Sequence, residues 1–172
     1  MATGSLAINS IANHVIPPRG FQDLYQQHAE AVYRTALRVT GNPADAEDVL
    51  QTVFLRILDH QLAVNPLRSP ERYLRRAATN ASIDLLRKKS SQAERPMEEG
   101  REFPAPETNP LLKERLRRAL SRLPHADAEL FVLCYLEGLT YEELAEQFDM
   151  ERGTVASRLY RIRAVLQKEI EK

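Results

Sequence analysis

The sequence predicts an all-α protein of two small helical domains joined by a flexible acidic linker, the C-terminal domain being a helix-turn-helix. Apolar residues recur every three or four positions through residues 21–90 and again through 110–172, the spacing of amphipathic helices. Residues 91–109 (SQAERPMEEGREFPAPETN) lack this period and are rich in Pro and Glu, which predicts the linker. Residues 1–20 have no clear period either, and we interpret them as a flexible leader.

Prolines and capping residues delimit the helices of the first domain. A helix over residues 21–40 is expected to end at Gly41, because glycine tolerates the left-handed conformation of a helix C-terminus. Asn42 and Pro43 then form an N-cap and first turn, with acids that suit the positive end of the helix dipole. Ser69 and the proline after it start a third helix by the same logic, and the basic run at 87–89 ends it.

The second domain is predicted to end in a helix-turn-helix. A helix starts at Pro110 and stops before Pro124, and another covers residues 126–137. Thr140 and Glu143 have the spacing of a capping box, which marks the start of the first helix of the motif. Residues 148–153 form the sharp turn, and the second helix carries an apolar stripe at positions 155, 159, 162 and 166.

Charge is balanced overall but separated along the chain. The 172 residues include 24 Lys and Arg and 24 Asp and Glu, so the formal net charge is zero. Residues 69–89 and 152–168 are nevertheless basic, whereas 45–59 and 94–107 are acidic. Cationic surfaces that could neutralise DNA phosphates are therefore expected on two separate helices.

The composition argues against several other kinds of protein. One cysteine, Cys134 in the apolar run LFVLCYL, and four scattered histidines favour neither a disulfide framework nor a zinc site. Cys134 is expected to be a small buried side chain. The N-terminus has no secretory signal pattern, and no run approaches the roughly eighteen apolar residues of a membrane span. The sequence predicts a cytoplasmic protein without membrane insertion, metal or cofactor.

The last helix has the charge of a DNA-reading helix. Between positions 152 and 168 it contains five basic residues and no carboxylate. With the apolar stripe facing the core, Ser157, Tyr160 and Arg161 fall on the opposite side and are candidates to meet base edges. Arg158 lies on the flank, where a phosphate contact or an internal salt bridge is expected. The alternative is a terminal amphipathic helix with a solvated basic face.

The third helix has a second polar face suited to single-stranded DNA. Amides can contact exposed bases while arginines hold the backbone. Opposite an apolar stripe that includes Leu74 and Leu85, we expect an exposed face that would contact a DNA strand, and we call it the strand face. It consists of Arg72, Arg76, Thr79, Asn80, Ile83 and Arg87. The alternative is a cationic helix that is simply solvated.

Acids and an amide lie on the second helix. Its exposed side is expected to carry the acids and the amide, Asp45, Glu47, Asp48 and Gln51, whereas Phe54, which follows them, belongs to the apolar side that faces a core. Catalysis would need convergent groups in a pocket, whereas acids in a first turn are explained by the helix dipole. A protein-docking surface and a solvated helix remain as the two interpretations.

Three motifs in order resemble the bacterial sigma factors of the extracytoplasmic-function (ECF) group, within the sigma-70 family. They are DAEDVLQTVFLR at 45–56, YLRRAATNASIDLLR at 73–87, and LEGLTYEELA with GTVASRLYR at 136–161. The resemblance implies an alternative sigma factor without catalytic residues. Residues 21–90 would bind the largest subunit of core RNA polymerase and the melted −10 promoter element. Residues 110–172 would read the −35 element as duplex and contact the other large subunit, and an anti-sigma factor is a usual further partner.

The resemblance also assigns site residues. Asp45, Glu47, Asp48, Gln51 and Phe54 correspond to the core-polymerase-binding motif. Contact with the −10 element is expected from Arg76, Asn80, Arg87 and Lys88, and contact with the −35 element from Arg152, Thr154, Ser157, Arg158, Tyr160 and Arg161. The chain departs from the family pattern at Tyr73 (usually Trp), at Asp149 and Glu151 in the turn, and at Ala156, which is often basic.

Two other classes of protein remain as alternatives. A stand-alone helix-turn-helix transcriptional regulator would share the C-terminal motif, but the first half lacks the alternating strand and helix pattern of a receiver domain. An enzyme acting on nucleic acid would need a metal cluster, a phosphate-binding glycine loop or a nucleophile with its base, and the sequence has no such motif.

Overall fold

The computed structural model describes residues 20–59, 69–93 and 110–171, and every regular element in those ranges is an α-helix. The all-α prediction is confirmed. The seven helices are α1 (Phe21–Thr40), α2 (Pro43–Asp59), α3 (Pro70–Ala93), α4 (Pro110–Arg122), α5 (His125–Tyr135), α6 (Tyr141–Phe148) and α7 (Arg152–Ile170).

Residues 1–19 of the predicted leader and 94–109 of the predicted linker lie outside the described residues. The first three residues assigned to the linker, 91–93, instead continue α3. They contain no helix breaker, since the next proline is Pro96, so nothing local stops the helix at the basic run.

Helices α1, α2 and α3 pack around the core of the first domain. Its centre is built mainly from small and β-branched side chains that allow close helix approach, Val32, Ala36, Val49, Val53, Ile57 and Ala78, together with the larger Leu74. Gly41 ends α1 with a left-handed φ of 68°, and its N–H donates to the carbonyl of Leu37. A side chain at Gly41 would also collide with the guanidinium of Arg117, which reaches over from α4.

Helices α4 to α7 form the second domain, whose core includes Leu120, Leu130, Leu133, Leu144 and Leu159. The predicted capping box is present at the start of α6. The N–H of Glu143 donates to Oγ1 of Thr140 at 3.2 Å, and the N–H of Thr140 donates to Oε2 of Glu143 at 2.8 Å. Because α6 begins here and ends at Phe148, α7 leaves the turn as a separate helix.

The two domains pack against each other, a contact that the sequence did not indicate. Helix α3 lies against both α4 and α5. Val39, Ile83 and Leu86 of the first domain are buried in the same cluster as the core of the second. One continuous apolar layer therefore joins the two domains.

Asp149 holds the turn between α6 and α7 in a strained backbone conformation. Its φ is +50°, the left-handed region that glycine adopts most easily and Asp tolerates better than other residues. We expect Asp149→Ala to lower the free energy of unfolding by about 1 kcal/mol, and Asp149→Gly to avoid that loss. Chemical denaturation measures both. Glu151→Ala, at an ordinary φ of −68°, is the matched control. Equal losses for Ala and Gly would show that the Asp side chain, and not the backbone, is what matters.

Candidate functional site

Helix α7 presents its predicted reading face to solvent. The four residues of its apolar stripe are buried, whereas Ser157, Tyr160 and Arg161 are exposed. Tyr160 keeps 68% of its surface accessible, which is unusual for an aromatic residue that serves only packing. A phenol, a hydroxyl and a guanidinium on one side of a helix can meet base edges and phosphates of a duplex.

Arg158 on the flank of α7 forms the internal salt bridge that was one of its two expected roles. Its Nε donates to Oδ1 of Asp127 in α5 at 2.7 Å, and both side chains are about three-quarters buried. Arg158 therefore ties the reading helix to α5.

The turn in front of α7 is held by charged groups. Arg152 pairs with Glu142 and lies 5.9 Å above the ring of Tyr141, while Thr154 is exposed beside it. The backbone N–H of Glu142 itself and the Arg152 guanidinium lower the pKa of the Glu142 carboxyl. The N–H and hydroxyl of Thr140 lower the pKa of Glu143. Both carboxylates are therefore ionised at neutral pH, which keeps the cap and the Arg152 pair in place.

Helix α2 exposes only part of the predicted docking surface. Glu47, Asp48 and Gln51 are exposed, as expected, but the prediction that Asp45 is exposed is wrong. Asp45 is 8% accessible, and both of its carboxylate oxygens accept from Nζ of Lys89 at 2.6 Å. It shares a side of the helix with Val49, four residues on, and so faces α3.

Phe54 is buried, as expected from its place on the apolar side of α2. It is 3% accessible and packs edge-on against the ring of Tyr25, with the ring centroids 4.8 Å apart. Leu55 is the apolar residue that faces outward, with 56% of its surface accessible. Helical spacing could have identified it, since Leu55 follows Asp48 by seven residues and Gln51 by four. We define the docking face of α2 as Glu47, Asp48, Gln51 and Leu55.

The strand face of α3 is largely covered by the second domain. Nε of Arg76 lies 2.5 Å from Oε1 of Glu129 in α5, and Nδ2 of Asn80 donates to the same oxygen at 3.1 Å. Thr79 and Ile83, expected to be exposed, are 0% and 1% accessible. The expectation failed because Ile83, the apolar residue on this face, packs against the core of the second domain where α3 contacts α4 and α5. Arg87 and Lys88, farther along α3, are exposed.

A second acid of the second domain, Glu137, binds side chains of the first domain. The Glu137 side chain, 2% accessible, accepts from Oγ1 of Thr35 at 2.9 Å and from Nε and Nη2 of Arg38 at 2.9 and 3.0 Å. Arg75 of α3 lies 3.7 Å from the same carboxylate. A cleft of about 300 Å³ between α1 and α3 opens beside this cluster. Sequence reasoning missed Glu129 and Glu137. An acid beside the apolar run LFVL was a signal that Glu129 is buried and paired.

Other chemistry finds little support in the described part of the chain. No group of three or more His, Cys, Asp or Glu side chains is placed there to hold a metal ion. Cys134 is half-buried, and burial raises the pKa of its thiol, so the group stays protonated. Among the described helices, none has the length and apolarity to cross a membrane.

Comparison with known families identifies both domains. The family model for sigma-70 region 2 matches residues 24–92, and the model for sigma-70 region 4 matches residues 113–166. An ECF RNA polymerase sigma factor of Mycolicibacterium smegmatis, SigE, is 33% identical over 99% of this chain and 68% of its own length. The chain belongs to the ECF group of the sigma-70 family. It is an alternative sigma factor, which directs RNA polymerase to promoters.

Other relatives of the sigma factor agree. SigL of Mycobacterium tuberculosis is 32% identical over 83% of this chain and 84% of its own, and SigW of Bacillus subtilis is 28% identical over 87% and 88%. The match of the first domain to region 2 removes the alternative of a stand-alone helix-turn-helix regulator.

Solved structures share the fold. The sigma factor RpoE of Bartonella quintana, in complex with the anti-sigma factor NepR, has a TM-score of 0.54 at 21% identity, covering 89% of this chain and 98% of RpoE. CnrH, in complex with the cytosolic domain of CnrY, has a TM-score of 0.53 at 23% identity, covering 89% and 88%.

Proposed function

We propose that the sigma factor binds core RNA polymerase through the docking face of α2. Two exposed carboxylates, an amide and an exposed leucine lie there on adjacent turns. An apolar residue ringed by charged groups is typical of a protein-binding surface. Asp45 and Phe54 support this face from below: Asp45 anchors α2 to Lys89, and Phe54 fills the core.

We assign the melted −10 element to α3. Asn80 can pair with the edge of an unstacked base, and Arg76, Arg87 and Lys88 can hold the sugar–phosphate backbone. The −35 element falls to α7, where Ser157, Tyr160 and Arg161 form the reading face. Arg152 and Thr154 lie at the phosphate-facing start of the helix, and Arg158 orients it through Asp127.

The observation that carries the proposal is the separation of three surfaces on one chain: a polymerase-docking face, a strand face and a duplex-reading face. The domain limits, 21–90 and 110–172, are part of the proposal. So are a cytoplasmic location, the lack of a catalytic residue and an anti-sigma partner of the kind present with RpoE.

A purified-component transcription assay with core polymerase and a pool of genomic promoter fragments tests the proposed function. Specific transcripts should require both proteins, and a duplex mobility shift should require core polymerase as well.

Arg161→Ala is expected to weaken −35 recognition. Loss of a base or phosphate contact in a groove costs about 1–3 kcal/mol, or roughly tenfold in promoter affinity. Affinity of the holoenzyme for a selected promoter fragment, measured by fluorescence anisotropy, should fall by about that factor, while affinity for core polymerase stays unchanged. Lys168→Ala, an exposed cation in the last turn of α7, is the control. If the Arg161→Ala variant binds the promoter with the same affinity as the parent protein, Arg161 does not belong to the reading face.

A further inference from the structure

Arg152, the first residue of α7, reaches back to the first turn of α6, the other helix of the helix-turn-helix. Its Nε donates to Oε1 of Glu142, and its guanidinium carbon lies 5.9 Å from the centroid of the Tyr141 ring. Tyr141 and Glu142 are the first two residues of α6. One cationic side chain therefore joins the beginnings of both helices of the motif.

The backbone of the turn fixes how far Arg152 has to reach. The N–H of Asp149 donates to the carbonyl of Ala145, and the N–H of Met150 donates to the same oxygen at 2.9 Å. Hydrogen bonds of this kind complete the end of a helix and set the direction of the chain that follows. Helix α7 therefore starts at a set position relative to α6, and the guanidinium meets Glu142 without any movement of the turn.

The ring and the carboxylate hold the guanidinium in one orientation. Tyr141 packs against the apolar core of the second domain, so its ring offers Arg152 a fixed surface. Glu142 is ionised at neutral pH, because its own N–H and Arg152 lower the pKa of its carboxyl. A surface arginine otherwise samples many rotamers, and it loses that freedom when it binds an anion. Orienting the side chain beforehand reduces the loss.

The terminal amino groups of Arg152 remain available for an anion. A guanidinium carries five N–H donors, and the bond to Glu142 uses the one on Nε. Within the part of the chain that the structure describes, Nη1 and Nη2 have no hydrogen-bond partner, and the Arg152 side chain keeps 65% of its surface accessible. Two such groups side by side match the oxygens of a phosphate.

We propose that Glu142 and Tyr141 are positioning residues, which hold Arg152 ready for one phosphate of the −35 duplex. This rests on the proposed function, since it takes the start of α7 as a DNA-facing position. Glu142 thereby increases affinity for DNA although its charge has the same sign as that of DNA. Because a phosphate contact carries no base identity, the gain is the same for every −35 sequence.

The test measures holoenzyme affinity for a selected promoter fragment by fluorescence anisotropy over a series of salt concentrations. Glu142→Ala should weaken binding about threefold, the scale of one surface ion pair. Arg152→Ala should weaken it about fivefold and lower the slope of log affinity against log salt by about one, as expected for one lost phosphate contact. Glu142→Gln should stay closer to the parent than Glu142→Ala, because its amide oxygen can still accept from Nε.

Glu151→Ala is the matched control. Glu151 is an exposed acid of the same turn, and its side chain makes no capping hydrogen bond to α7. Its replacement removes the same charge near DNA without releasing Arg152, so binding should not weaken. Thermal unfolding of each variant shows whether the second domain stays folded.

Tighter binding by Glu142→Ala would overturn the proposal, because the carboxylate would then only repel DNA. Glu142→Ala combined with Arg152→Ala should bind no better than Arg152→Ala alone. Parent-level affinity of this double variant would also overturn the proposal, since Arg152 would then merely neutralise the acid. If the parent holoenzyme does not distinguish the selected fragment from one with a scrambled −35 element, the proposed function fails instead.

Discussion

Asp48→Arg is expected to weaken the binding of the sigma factor to core RNA polymerase by about 30-fold or more. Asp48 is exposed near the start of α2, between Glu47 and Gln51. It lies on the same face of the helix as Leu55. The change places a cation at the centre of an acidic docking face and alters the local charge by two units. Reversal of a central interface charge commonly costs about 2 kcal/mol or more, a roughly 30-fold loss of affinity.

Affinity is measured by titrating fluorescent sigma factor with core polymerase, and thermal unfolding shows whether the variant is folded. The matched control is Asp23→Arg, the same charge change at an exposed acid in the first turn of α1. If the Asp48→Arg variant and the parent bind core polymerase with equal affinity, α2 is not part of the polymerase interface. Leu55→Asp should reproduce the loss, because it places a charge on the apolar part of the same face.

Asn80→Ala is expected to reduce promoter melting strongly while leaving polymerase binding unchanged. The amide of Asn80 can both donate to and accept from a base edge, and alanine can do neither. Loss of such a contact costs about 1–3 kcal/mol, so open complexes should fall by about tenfold or more. Glu129 keeps Arg76 as its partner in the variant, so the contact between α3 and α5 is expected to persist.

Fluorescence of 2-aminopurine in the −10 segment reports melting, and Asp84→Ala, one turn along α3 and exposed, is the control. If Asn80→Ala forms open complexes at the parent level, α3 is not the −10 reader at this position. That result would leave the docking face untouched, because the two faces lie on different helices.

Much of the fold follows from local patterns in the chain. Pro43, Pro70 and Pro110 each begin a helix, and the left-handed Gly41 ends one, as their capping preferences predict. The reading face of α7 also follows from spacing alone, since each residue on a helix has its direction set by the residues three and four away. Asp45 was misplaced because the helix dipole explains a first-turn acid on any side of the helix, and only its spacing of four from the buried Val49 places it against α3.

The sequence by itself determined seven helical segments, the helix-turn-helix with its capping box, and two cationic helices in an electrically neutral chain. These features depend on interactions within a few residues, such as Thr140 with Glu143. Only the tertiary structure decided which charges remain available. Asp45 is paired with Lys89 across 44 positions, Asn80 with Glu129 across 49, and Thr35 with Glu137 across 102. Such partners are chosen by the packing of α3 between two domains, and no local period or cap encodes that packing.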